Sequence, residues 1–467
     1  MCSEEILPLP STASITSSKV EAGNLGFAEK LSYGVGNFAE MMVFNPATAF
    51  MVFFYTDVVG IGAATVGRLM LASRVFDLFN PVMGLIVDRT HSRHGKGRPW
   101  LLWLALPFGI CVVPLFTVPP FGPTGKIIYA FITYNLALTI IYSAIDIPYG
   151  AMLPLITPDQ HQRGVLSLFR MTLAMAGAML SFAITQPMVR HFGGGAQGWQ
   201  RSFMVFAAVA TILLLLCFFG TKERIHPADA GKRSTSVSVE FQTLFANKYW
   251  MMVAAMAIAL MLMLGLYGDN IYFCRYFLHD VNSFGPLMTM SQFALVVGMP
   301  VSGIMLKKWG KRNTSLLGIA IAVVGQATMF VAPTNFTVIG IGNVLRGLGA
   351  APFIGTMFAM VADTVEYGEW KAGMRTEGLA YGTVALAAKV SVGLGNAAVG
   401  WILGLSGYVG GSETQLPSAL FAIRTMFLHL PMALLLIIGL ILWIYDLEKR
   451  YPAIMGDLNA RRTLGSY

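Results

Sequence analysis

Six ionisable side chains, Arg74, Asp77, Asp146, Arg170, Asp269 and Lys389, stand in stretches otherwise fit for the interior of a lipid bilayer. A charge at the centre of a membrane helix costs on the order of 3 kcal/mol on insertion scales, so such groups pair or face a wet cavity, and each marks a candidate for ion or substrate chemistry. Three acids against three bases make a near-neutral set, which suits one shared polar chamber. Arg74, Asp77 and Asn80 are three apart and project from one face of a helix. Tyr142, Asp146 and Gly150 recur every four residues on another, where Pro148 loosens the hydrogen-bond ladder, while Glu377, Tyr381 and Lys389 make a stripe that Asn396 extends. Carboxylate and guanidinium groups so arranged can hydrogen-bond hydroxyls, tyrosines can stack on the apolar face of a sugar ring, and a carboxylate can carry a proton or small cation. The structural alternative for the same residues is a set of interhelical salt bridges that only holds a bundle together.

The elements that must position these groups follow from composition. Of 467 residues 55% are hydrophobic and 12% charged, whereas soluble domains carry about a quarter charged residues, so a water-soluble fold does not fit. Apolar runs near 32–56, 63–87, 100–119, 127–155, 164–189, 202–220, 249–276, 285–306, 313–332, 336–361, 377–405 and 421–445 predict twelve membrane helices, each near the roughly 20 residues needed to cross about 30 Å of hydrocarbon. The fold class is all-α, with no room for a large soluble domain.

The excess of 32 Lys and Arg over 23 acids would suggest nucleic acid in a soluble protein; here it gathers in alternate short loops. Arg89, Arg93, Lys96, Arg98, Arg163, Lys222, Arg224, Lys307, Lys308, Lys311, Arg312, Lys371 and Arg375 lie on one side, against Lys126, Arg190, Arg201 and Arg275 on the other. This asymmetry predicts both termini in the cytoplasm and no nucleic-acid partner. Residues 1–28 read as a disordered cytoplasmic tail, 222–248 as a flexible linker, and 447–467 as a second cytoplasmic tail. They bound two six-helix bundles at 29–221 and 249–446. A repeat supports the division: Gly84-Leu-Ile-Val-Asp88-Arg89 leads into Gly95-Lys-Gly-Arg98, and Gly303-Ile-Met-Leu-Lys307-Lys308 into Gly310-Lys-Arg312, each after the second helix of its half. A weaker echo pairs the segments ending in Asp159 and Asp363. Repeated halves with a site between them are how rocking transporters are built.

Other residue types read as structural. Cys111, Cys217 and Cys274 lack any CxxC spacing, the 28 methionines suit adaptable packing, and His91, His94 and His161 fall at helix ends, so neither metal nor disulfide is expected. No nucleotide-binding glycine-rich loop of the GxxxxGK[ST] type occurs, so ATP-driven transport by this chain is not expected, nor is any cofactor or enzymatic activity.

Five segments are specific enough to suggest kinship: Lys30-Leu-Ser-Tyr33-Gly-Val-Gly36, Phe54-Tyr-Thr-Asp57-Val-Val-Gly60, Ser92-Arg-His-Gly-Lys96-Gly-Arg98-Pro-Trp100, Asp146-Ile-Pro-Tyr149-Gly and Ala362-Asp-Thr-Val-Glu-Tyr-Gly-Glu369-Trp-Lys371. With them the chain resembles, from about residue 30 to 450, the glycoside–pentoside–hexuronide:cation symporters, which include melibiose and glucuronide permeases. The resemblance implies a major-facilitator-type fold alternating access to a central sugar site. It implies that Asp146 is the fourth-helix acid that bonds sugar hydroxyls, Arg170 the fifth-helix arginine beside it, Tyr142 a lining residue, Lys389 the eleventh-helix lysine near the cation, and Asp77 the first of two second-helix acids holding the cation. Tyr149, Asn45, Glu40 and Tyr381 join the substrate-binding candidates, Asn80 and Arg74 the cation-coupling ones, and Asp88, Arg89, Arg98, Asp363, Glu366 and Arg375 the gating loops.

The chain also departs from that pattern. The family's Asp-x-x-x-Asp-Pro reads Asp77-Leu-Phe-Asn80-Pro81 here, one residue shorter and without the second carboxylate. Met41 replaces the first-helix acid of the melibiose carrier, with Glu40 adjacent and Asn37 and Asn45 near, and Gly150 replaces the aromatic residue four positions after Asp146. Hard cations such as sodium want several oxygen ligands, so these losses favour a proton over Na⁺ and disfavour melibiose as substrate. The expectation is a monomeric sugar or glycoside:proton symporter of a bacterial inner membrane, surrounded by lipid. The alternatives are a carrier or exporter of an anionic sugar, a hexuronide or sulfonated derivative held by Arg170, Lys389 or Arg74, with uncoupled, facilitated movement as a further option, and a non-transporting membrane sensor or scaffold.

Overall fold

The computed structural model describes residues 25–90, 92–157, 159–224, 237–373 and 377–463. Eleven continuous helical segments among them are long and apolar enough to span a membrane. The first six are α1 (Phe27–Val58), α2 (Ala63–Val87), α3 (Arg98–Leu115), α4 (Pro123–Ile156), α5 (Gln162–His191) and α6 (Gly195–Gly220). Then come α7 (Lys248–Tyr276) and the segment Val281–Val331, which Gly310 breaks with φ +76° into α8 (281–309) and α9 (311–331). The series closes with α10 (Phe336–Ala372), α11 (Leu379–Leu405) and α12 (Pro417–Ile444), twelve crossings in all. Helices are what such apolar runs must form, because lipid offers no partner to an unbonded N–H or C=O. Outward-facing Leu106, Ile110, Ile132, Leu440 and Trp443, all more than half exposed, are the surface such a solvent requires.

The sequence repeat marks a repeated structural device. Gly95 (φ +106°) and Gly310 (φ +76°) take left-handed backbone that disfavours side chains, and each has a carboxylate where a Cβ would stand. In the first half Glu223, just past α6, accepts the N–H groups of Lys96 (2.7 Å), Gly97 (2.9 Å) and Arg98 (2.7 Å). In the second half Glu448, just past α12, accepts those of Lys311 (2.7 Å) and Arg312 (2.9 Å). A carboxylate at the N-terminus of α3 or α9 satisfies orphan donors and complements the helix dipole.

Within the first half α1 packs on α5 and α6, and α3 on α4 and α6; within the second, α10 packs on the α8–α9 segment and α7 on α11 and α12. The halves meet mainly through α2 against α11, α5 against α8, and α1 against α7. Small residues make these crossings close: Gly67 faces Gly400 and Trp401, Ala64 faces Gly404, and Gly285 lies on the Phe182 carbonyl. All three crossings lie towards the end of the bundle away from Phe27 and Ile444. That end is called distal below, and the end bearing the described chain ends proximal.

Two connecting segments carry structure of their own. Val237–Phe245 is a helix inside the stretch expected to be a plain linker, and residues 225–236 fall outside the described residues, as do residues 1–24 of the expected N-terminal tail. The expected C-terminal tail contains the helix Leu447–Thr463, docked on the proximal end of α10: Trp370 donates to Asp457 (3.0 Å), Arg461 to the Trp370 carbonyl (3.0 Å), and Tyr451 to Glu366. Just before it, the Tyr249 hydroxyl and the Arg450 guanidinium hold the Asp446 carboxyl below its usual range.

Candidate substrate and ion site

A cavity lies between the halves in two adjoining lobes that share Phe44, Thr48, Val392 and Asn396. The lobe of about 250 Å³ carries charge: Arg74 and Asp77 from α2, Tyr142 and Asp146 from α4, and Lys389 from α11. The other, about 330 Å³, is largely apolar, with Met41, Met175, Phe182, Leu264 and Leu295 relieved by Asn45 and Gln292. Glu40, Asp77, Asp146, Arg170 and Lys389 lie 13, 10, 10, 8 and 10 residues from the proximal ends of their helices, one layer about 12–20 Å deep at 1.5 Å per residue.

Asp77 is the buried hinge of the charged lobe. Arg74 Nη1 lies 3.1 Å from its Oδ2, and Lys389 Nζ lies 3.9 Å from its Oδ1. The Arg74 approach is an ion pair out of hydrogen-bond line, because Oδ2 has no hydrogen-bond donor. Arg74 spends its directed bond on the Tyr134 hydroxyl (3.0 Å), and Lys389 on the Ser143 hydroxyl (3.1 Å). Lys389 therefore ties α11 of the second half to both α2 and α4 of the first. The segment Ser73–Leu78 winds as a 3-10 helix, in which residues three apart eclipse, so Arg74 and Asp77 stand in one row.

Asp146 lines the charged lobe, and Arg170 Nη2 lies 3.5 Å from its Oδ1, with both side chains partly exposed, although Arg170 itself is not among the lining residues of the lobe. A pair this loose and wet can yield both partners to a ligand's hydroxyls. Arg170 rests at 4.9 Å over the ring of Tyr149, which stacks on Tyr33 at 4.8 Å and donates to the Tyr33 carbonyl at 2.6 Å. Gly150 leaves space beside this guanidinium, since a Cβ there would lie 3.6 Å from Nη1. Tyr142 stacks on Phe44 at 4.4 Å and lines the lobe.

Several residues read from the sequence as one set are separated. Tyr149 is wholly buried behind Arg170 and reaches no cavity, because the turn of α4 that aims Asp146 inward points it at α1. Tyr381 packs on the core of the second half, two turns nearer the proximal end of α11 than Lys389. Asp269 leaves the charged layer for the distal half of α7, with both oxygens buried and unbonded. Asn80 makes no hydrogen bond through its Oδ1 and does not line the charged lobe. Glu40 is completely buried, without a hydrogen bond, within electrostatic reach of Asp146 and Arg170. Asn45 lines the apolar lobe and donates to the Met41 carbonyl (3.2 Å).

The gating residues described bond within their own halves. Arg98 donates to the Phe218 carbonyl (2.8 Å) and lies over the Phe218 ring; Asp363 receives Lys311 at 2.6 Å; Glu366 meets Tyr451. Arg89 closes the proximal end of α2; Arg375 and the side chain of Asp88 fall outside what is described.

The distal seal is what sequence reasoning passed over. Asp57, at the end of α1, takes Arg275 of α7 at 2.6 Å, the Tyr408 hydroxyl at 2.9 Å and the Gly411 N–H at 3.0 Å, while Thr56 and Tyr272 share a hydrogen bond of 2.7 Å. In the sequence Asp57 stands inside a motif and Arg275 among the loop charges. An acid ending a membrane helix, with a lone arginine in an otherwise uncharged loop set, was the available signal. With the halves joined here, the cavity side chains reach water from the proximal end.

Two six-helix halves, a repeated cap, a central charged cavity and a seal on one side define a multi-pass membrane transporter with a site between its halves. The chain belongs to the MFS/sugar transport protein family, whose sequence profile matches residues 32–449. It is 33% identical over 461 residues to an isoprimeverose transporter of Lactiplantibacillus pentosus, covering 97% of this chain and 95% of that one. It is 34% identical over 440 residues to the inner membrane symporter YicJ of Escherichia coli strain K12, covering 92% of each. Among solved structures, a bacterial homologue of the human lysosomal transporter Spinster, inward-facing and unoccupied, superposes with TM-score 0.61 at 14% identity over 91% of this chain and 96% of that one, a likeness of fold.

Proposed function

We propose that the protein is a monomeric sugar or glycoside:proton symporter of a bacterial inner membrane, with both termini in the cytoplasm. The observation that carries this reading is Asp77 held between Arg74 and Lys389, with Lys389 arriving from the other half. Two cations and one carboxylate make a poor sodium site, since a hard cation needs several oxygen ligands and repels neighbouring positive charge. A proton needs only the carboxylate. Protonation of Asp77 releases Lys389 and loosens the tie between halves, while sugar hydroxyls replace the weak Asp146–Arg170 pair. With both bound, the Asp77 tie between the halves is undone and the sugar takes over the polar groups of the wall, so both ligands favour the same rearrangement. The relatives support sugar and coupling, one being named for isoprimeverose and the other as a symporter. The basic loops support the orientation, which makes the proximal opening cytoplasmic.

The test is proton uptake by proteoliposomes on addition of members of a glycoside panel, neutral and acidic, followed with a pH indicator. At least one neutral glycoside is expected to drive uptake by the wild type, and Asp77→Asn to abolish it while leaving glycoside-induced thermal stabilisation in place. Uptake unchanged in Asp77→Asn overturns the assignment of the proton, and response to acidic sugars alone overturns that of the substrate.

A further inference from the structure

Asp269 ends a 3-10 turn, Leu266–Asp269, that interrupts α7, and it is 0% exposed with neither carboxylate oxygen hydrogen-bonded. Among the described residues no cation lies within ion-pairing distance of it. Its turn sits where three helices from both halves converge: a Cβ on neighbouring Gly268 would lie 3.6 Å from Asn396 Oδ1 of α11 and 3.8 Å from the Ala49 carbonyl of α1. Tyr267 and Gly268 line the cavity, whereas Asp269 does not. On the distal side, Tyr272 bonds Thr56 and Arg275 bonds Asp57. Asp269 thus lies between the cavity floor and the seal, on a seam that the rocking of α1 against α7 must open.

An ionised carboxylate sealed from water without a partner costs several kcal/mol, and a buried acid in that position is tolerated in its neutral form. We propose that Asp269 is a second proton-binding site, holding its proton while the distal seal is shut and exchanging it with distal water when the halves part there. It is distinct from Asp77, on another helix and in the other half. The idea rests on the transporter reading but needs neither a sugar nor coupling through Asp77.

The groups that face this acid leave no other source for its charge balance. On α7 itself Tyr272 and Cys274 are neutral at ordinary pH. From α1 the seal brings Asp57, already paired with Arg275. The adjoining turn of α12 carries His429, which is exposed with its ring against Phe330 and Phe421, away from this acid. From α11 the neighbour is Asn396, and on α10 Arg346 stands over Tyr267, bonded to Gln326 and Asn343.

Two measurements on the purified full-length protein test the proposal without a substrate. Infrared spectroscopy is expected to show one protonated-carboxyl band lost in Asp269→Asn and retained in Asp77→Asn. Spin labels at Gly62→Cys and Glu413→Cys, exposed on the distal face of opposite halves, are expected to report a distal-open population that grows as pH rises above the ordinary carboxylate range. Made in the Asp77→Asn background, so that the tie through Lys389 does not titrate, Asp269→Asn abolishes that growth and keeps the seal shut, whereas His429→Gln in the same background leaves it unchanged. An unaltered carboxyl spectrum, or a pH response that in this background survives Asp269→Asn or vanishes with His429→Gln, overturns the proposal. So does failure of Asp269→Asn to fold, since an amide matches the neutral acid in size and polarity.

Discussion

Asp146 and Arg170 form the most exposed charged pair on the cavity wall, and their 3.5 Å separation is long for a charge-assisted bond. Hydrogen bonds to charged groups contribute about 1.5–3 kcal/mol, so loss of one such bond to a sugar should weaken binding about 10- to 100-fold. Asp146→Ala is expected to do this, and Arg170→Lys, which keeps the charge but not the planar fork, to approach it. Isothermal titration with the best glycoside of the panel reads both; unchanged affinity in both variants removes this wall from the site. The same residues show how far sequence reaches at this scale. Spacing along α2 and α4 was enough to pick Arg74, Asp77, Tyr142 and Asp146, because neighbours on one helix face are fixed by local geometry. Spacing says nothing of Tyr149, which enters through a motif; three residues after Asp146 on a helix bearing Pro148, it points at α1. Sequence groups Asp269 with the cavity acids because depth in the membrane is legible from an apolar run, whereas rotation about the helix axis after a 3-10 turn is not.

At the scale of elements, the twelve apolar runs and the twelve helices agree closely, since length and hydropathy alone decide what can cross lipid. The caps were visible only as a repeat of glycine and basic residues; their carboxylates, Glu223 and Glu448, lie more than a hundred residues away along the chain. Gly95→Ala and Gly310→Ala each force a Cβ into left-handed backbone and against a carboxylate. Each is expected to destabilise by about 1–3 kcal/mol and lower the thermal midpoint in detergent, whereas alanine at open Gly84 leaves it nearly unchanged. Equal midpoints for all three would mean the caps hold nothing. The 3-10 stretch in α2 ends inside the Asp77–Pro81 segment, which is one residue shorter than the Asp-x-x-x-Asp-Pro pattern, and its tighter winding offsets that difference in rotation. Six residues at about 3.0 per turn rotate through about 720°, close to the 700° of seven α-helical residues, so Pro81 onward keeps the face that a longer segment would give it.

For the whole molecule the decisive feature is which ends of the halves touch. The Asp57–Arg275 pair joins residues 218 apart in sequence, and only the assembled halves bring them within 2.6 Å. Loss of a charge-assisted hydrogen bond costs about 1.5–3 kcal/mol, and here the loss falls on the state sealed at the distal end, an equilibrium shift of about ten- to a hundredfold. Asp57→Ala is therefore expected to lengthen the distance between spin labels at residues 62 and 413 and to slow net transport; a distance distribution like that of the wild type would deny the seal its role.

The central claim, a sugar carrier driven through Asp77, is tested most directly by accumulation of a radiolabelled glycoside in proteoliposomes under an imposed proton gradient. Uphill accumulation that a protonophore abolishes is predicted for the wild type, with Asp77→Asn retaining only exchange of internal for external glycoside. Accumulation driven by a sodium gradient alone, or undiminished in Asp77→Asn, contradicts the account.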